Sequence, residues 1–132
     1  MMHHKQVELE KNMKLMFDEI DDIMEDRYHE NWILHPNRQK RGECANKEAD
    51  GLFNVGVSFS PGYGTTYGRG YVIDISISTL EHIPFNIKSQ LYSEVATLIT
   101  ERLPRFFPER KLEVVKDGAV YKIIGDFSLG SL

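Results

Sequence analysis

The sequence predicts an α+β fold: a four-stranded antiparallel sheet with two helices packed on one face, in the order α-β-β-α-β-β. Three observations carry this. Residues 1–30 and 85–103 repeat apolar side chains every three or four positions, the period of a helix with one buried stripe. Residues 53–60 and 71–78 alternate apolar with small polar side chains, the period of a strand with one buried and one wetter face. Asp117-Gly118 separates two short runs at 112–116 and 119–124, and Asp-Gly supplies the positive φ angles of a tight antiparallel hairpin. A chain of 132 residues with 41% hydrophobic content fits a single domain over 1–132 with a packed core.

The first helix, over residues 1–30, places Leu9, Met13, Met16, Phe17, Ile20, Ile23, Met24 and Tyr28 on one stripe. Its other faces carry nine acids against four bases, which leaves −5 on this segment and +1 on the remainder of a chain whose total is −4. The net acidity therefore belongs to this helix, and a solvated acidic face is its simplest reading. Residues 31–35 lead out of the helix, with Pro36 as the stop. Residues 36–51 hold few apolar groups and mixed charge. A connection of that length is uncommon inside a small domain, so it is expected to be mobile or functional.

The two alternating strands flank residues 61–70, a hairpin tip with glycines at 62, 64, 68 and 70. The second helix follows Pro84, buries Ile87, Leu91, Val95, Leu98, Ile99 and Leu103, and is expected to end at Pro104. The 112–124 hairpin completes the sheet, and residues 125–132 add a short edge segment or none. Asn54, Gly56, Ser58, Asp74, Ser76 and Ser78 then share the face that the helices leave open.

Several function classes lose support at this stage. The excess of acids over bases disfavours a dedicated duplex nucleic-acid binder. No stretch nears the roughly 20 apolar residues of a membrane-spanning helix, and the start Met1-Met2-His3-His4-Lys5 lacks the apolar core of a signal peptide. One cysteine, Cys44, permits no internal disulfide, which points to a reducing cytoplasm. Cys44 follows Glu43 in the polar loop without an element that would activate a thiol, although a partner in His35 or His82 stays open. Asp18, Asp22 and Asp26, and separately Glu25 and His29, stand four residues apart as helical metal ligands do. Inward-facing partners from a second helix are missing, and neither a metal nor a cofactor is expected.

The tip offers the candidate binding residues Tyr63, Tyr67, Arg69 and Tyr71. Glycines let a backbone approach a ligand closely, and aromatic rings beside a cation stack on unpaired bases. The spacing G-x-G-x-x-x-G-x-G matches none of the phosphate-binding glycine motifs. Arg102, Arg105, Arg110 and Lys111 around Phe106 and Phe107 would add positive charge if they shared that surface; as a core plug and a solvated helix end they need no ligand. The leading expectation is a non-catalytic protein-interaction or assembly domain, acting as a homodimer or on another protein. Its basis is a first helix of about 40 Å, longer than the sheet beneath it, with Met13, Met16 and Met24 giving an adaptable contact surface. The alternative is ligand or single-stranded nucleic-acid binding through the tip.

Overall fold

The computed structural model describes residues 4–43 and 50–125. Its elements are α1 (His4–Tyr28), β1 (Phe53–Ser60), β2 (Gly70–Ile77), α2 (Phe85–Phe106), β3 (Leu112–Asp117) and β4 (Val120–Gly125). The strands form one antiparallel sheet in the order β1-β2-β4-β3. This is the predicted α+β architecture. α1 packs on β1 and on α2, and α2 packs on β3, so both helices cover the same face. Leu9, Met13, Met16, Phe17, Ile20 and Met24 from α1 meet Phe53, Val55, Ile73 and Ile123 from the sheet and Val95 and Ile99 from α2.

Three expectations need correction. α2 does not stop at Pro104 but continues through it to Phe106. Proline this late in a helix removes one backbone hydrogen bond, to the carbonyl four residues back, which belongs to the exposed Thr100. The extra turn carries Phe107 into the core at 4% exposure and closes with Phe107 N–H donating to Leu103 O at 2.8 Å. The first helix, expected over 1–30, ends at Tyr28. From Leu9 onward it also does not overhang its own domain, because its stripe is buried there. α1 runs past β1 to the end of α2, where the Asn12 amide donates to Phe106 O at 3.4 Å.

The β2–β4 seam is short, with Tyr71 opposite Ile123 and Val72 opposite Lys122. Beyond it the two hairpins diverge, and the Ile75 N–H donates instead to the Tyr92 hydroxyl of α2 at 3.1 Å. The 36–51 connection is anchored at both described ends. Gln39 bridges Asp50, and the Arg38 guanidinium donates to Gly51 O and Asp50 O, each at 3.0 Å. Residues 44–49, with Cys44, lie outside the described residues, as do 126–132.

Candidate functional site

The glycine-rich tip is a folded loop clamped to the far hairpin. Gly62, Gly64 and Gly68 all adopt positive φ. The Thr65 hydroxyl donates to Gly62 O at 2.7 Å, and the Gly68 N–H donates to the Thr65 hydroxyl at 3.1 Å. Period two puts Lys122 of β4 and Asp117 of β3 on the face without helices, and the tip bends over that face onto them. The Asp117 carboxylate accepts from Thr66 N–H (3.2 Å) and Tyr67 N–H (3.1 Å). Lys122 Nζ donates to Asp117 Oδ2 at 2.9 Å and to Gly68 O at 2.6 Å, and it is 1% exposed. Its hydrogen bond holds the Asp117 carboxyl below the usual carboxylate range. A buried ammonium needs such a shell, since an uncompensated charge there is strongly unfavourable.

The predicted binding residues fall into two groups. Tyr63 is 91% exposed, and Tyr67 and Arg69 are exposed on the same tip. Tyr71 does not join them. It points to the helix-covered face, packs edge-on against Phe59 at 5.7 Å, and has Glu10 and Arg110 as its charged neighbours. Arg102 and Arg105 both bind Glu19 of α1, and Arg105 lies over the Phe106 ring. The basic end of α2 is therefore occupied in holding the helices together.

Sequence reasoning missed a second polar cluster. Asp21 and Glu25 of α1, assigned above to a solvated face, are 3% and 8% exposed. Both reach Arg41, which donates to Asp21 Oδ2 at 2.9 Å, Glu25 Oε1 at 3.1 Å and Phe53 O at 3.2 Å. Asp50 joins as a third carboxylate, 3.3 Å from the same guanidinium. Glu25 also accepts from the N–H groups of Leu52 (2.8 Å) and Phe53 (3.1 Å), closing the start of β1. Burial pushes the Asp21 carboxyl up to about 6, against the pull of Arg41. One signal was available: Asp21 and Glu25 flank Phe17, Ile20 and Met24 on the helical wheel, at the edge of the buried stripe. Their partner was invisible, because Arg41 comes from an irregular segment.

Two hollows border this cluster. One, of about 520 Å³, lies between the end of α1 and the connection, lined by Asp22, Glu25, His29, Lys40 and Arg41 among others. The second, of about 270 Å³, lies between α1 and β1, with Met13, Phe17 and Tyr71 as its apolar part and Asp18 and Asp21 on its acidic side. No group of three or more metal-ligating side chains converges among the described residues, and none of their helices is long and apolar enough to cross a membrane.

A third feature lies at the opposite end of the β1–β2 hairpin from the tip. The segments around 33 and 80 are joined there by Ile33 N–H donating to Glu81 Oε2 at 2.6 Å and His35 N–H donating to Ser78 O at 2.8 Å. Ile33 is 75% exposed, Leu80 75% and Phe85 85%.

A family model described as an uncharacterised protein matches residues 4–125 of this chain. An uncharacterized protein of Borreliella burgdorferi (strain ATCC 35210 / DSM 4680 / CIP 102532 / B31) is 39% identical over 109 residues, which cover 83% of this chain and 85% of the relative. No solved structure matches the chain.

Proposed function

The chain belongs to the uncharacterised family whose model spans residues 4–125, and we propose that it is a non-catalytic protein-interaction domain of the cytoplasm that self-associates. The observation that carries this is the exposure of Ile33, Leu80 and Phe85 on two segments tied to each other. Scattered apolar residues on a surface are ordinary, but several large ones gathered at one end of a small domain mark a contact surface. A two-fold dimer buries such a patch against itself without requiring a second complementary surface.

Size-exclusion chromatography with light scattering tests the reading. A dimer is expected at tens of micromolar. Leu80→Asp and Phe85→Asp are expected to give monomers with unchanged far-ultraviolet dichroism, since neither side chain contributes to the core. A strict monomer for the unaltered chain removes the reading.

A second reading rests on Tyr63, a tyrosine almost fully exposed on a loop that Lys122 and Asp117 hold in place. A rigid loop carrying Tyr63, Tyr67 and Arg69 suits the stacking of an unpaired base. Titration with short single-stranded oligonucleotides at low salt decides it. Saturable binding that disappears in Tyr67→Ala and Arg69→Ala supports it, and no binding retires it.

A further inference from the structure

β1 is an edge strand, the first in the order β1-β2-β4-β3, and the direction of its outer hydrogen-bonding groups can be read from its first residues. Leu52 O accepts from Ser78 N–H, on the β2 side. The Phe53 groups turn the other way, with N–H donating to Glu25 and O accepting from Arg41. Antiparallel alternation then directs the backbone groups of Val55, Val57 and Phe59 outward as well. At Phe53 the edge is closed by side chains. At Val55 the N–H faces the Asp21 carboxyl. Beyond that point no strand among the described residues pairs with the edge.

The 270 Å³ hollow opens along this stretch, with residues 54–57 of β1 forming one wall. α1 forms the other wall and supplies the acids Glu10, Asp18 and Asp21 against one cation, Lys14, whose ammonium lies 3.6 Å from Asp18. Met13, Phe17 and Tyr71 provide apolar surface. Asp21 is 3% exposed, and although the Val55 N–H faces its carboxyl, its Oδ1 has no donor at hydrogen-bond distance among the described residues. Its other oxygen shares the Arg41 guanidinium with Glu25 and Asp50. A buried carboxylate oxygen without a donor is unfavourable until a donor reaches it. An exposed edge, an apolar lining and walls with three acids against one lysine are together what an extended basic segment complements.

We infer that this groove binds an extended basic peptide segment, which adds as a strand to the outer edge of β1 from Val55 O onward and delivers a lysine or arginine side chain to Asp21. The inference rests on the reading of the chain as a protein-binding domain, names the chemistry of a partner, and uses a surface separate from the apolar end. A second copy is a poorer occupant, because its own first helix brings further acids to a wall that already carries them.

The test is a fluorescence-anisotropy titration of the full chain with a labelled, end-blocked octapeptide of alternating lysine and valine. A glutamate–valine octapeptide serves as control. Saturable binding of the lysine peptide is expected, at least tenfold weaker in Asp21→Asn, with no binding of the glutamate peptide. Val57→Pro removes an outward N–H and leaves the β1–β2 ladder intact, so it is expected to lose binding while keeping its urea midpoint near that of the unaltered chain. Hydrogen exchange at Val57 and Phe59 is expected to slow when peptide is added. No binding of the lysine peptide overturns the inference, as does equal binding of both peptides or indifference to Asp21→Asn. Slow exchange at Val57 in the free chain that quickens on dilution would assign the groove to a second copy and also overturn it. The two functional readings fail separately, because dimerisation is read through Phe85→Asp and groove binding through Asp21→Asn.

Discussion

Asp21 holds the unusual charge balance of this protein in one side chain. It is buried beside Glu25 and shares the Arg41 guanidinium with Glu25 and Asp50. Burial raises its pKa from the ordinary 3.8 to about 6. Between those values the folded protein holds a proton there that the unfolded chain has released. Asp21's contribution to stability is therefore full below about pH 4 and declines as pH rises through 6. Asp21→Asn keeps an oxygen for Arg41 and removes one negative charge. It is expected to flatten the fall in stability between pH 4 and 6.5 and to raise stability at pH 7.5 by about 1 kcal/mol, discounted from the full linkage value because the site borders an open groove. Urea denaturation across pH checks this, and identical slopes for variant and parent contradict it. None of this is visible in the sequence beyond the position of Asp21 at the edge of a stripe.

Among the elements, the tip joins two parts of the sheet that the chain separates by about fifty residues. Its shape depends on Gly62, where a Cβ would lie 2.0 Å from the Gly68 carbonyl carbon, whereas Gly64 has nothing within 4 Å. Both have positive φ. Gly64→Ala is therefore expected to cost about 1–2 kcal/mol from backbone conformation alone, and Gly62→Ala distinctly more, because the obstacle is backbone and cannot swing aside. Equal costs in thermal or urea unfolding would show that the loop does not close in this way. Lys122→Met takes from Asp117 the cation that holds it and is expected to lower the urea midpoint. Adding Asp117→Asn to Lys122→Met is expected to cost much less than the sum of the two changes made singly. Strict additivity would mean that the pair is not coupled. The sequence marks the tip by its glycines, but Lys122 reads there only as the polar half of an alternating strand.

At the scale of the whole molecule, α1, the sheet and α2 share one core, so no element has an independent interior. Trp32 reports on it, with its ring 6.3 Å from that of Tyr28 and edge-on to that of Phe53 at 6.2 Å. Its fluorescence and the far-ultraviolet dichroism are expected to trace one coincident urea transition; separated midpoints would show that α1 leaves before the sheet. Sequence by itself determined the six elements, their order, the buried stripes of both helices and the inward residues of β1 and β2, because helical and strand periods are local properties of side-chain spacing. It also located the tip and its exposed Tyr63, Tyr67 and Arg69. Only the tertiary structure decided that α2 passes through Pro104, that α1 lies on its own domain from Leu9 onward, that Tyr71 faces away from the tip, and that Arg41 and Lys122 gather buried carboxylates around them. Those outcomes depend on which distant segments arrive beside a given residue. A cation's partners, a helix's end and a loop's resting place are settled by burial against such neighbours, and no local pattern encodes them.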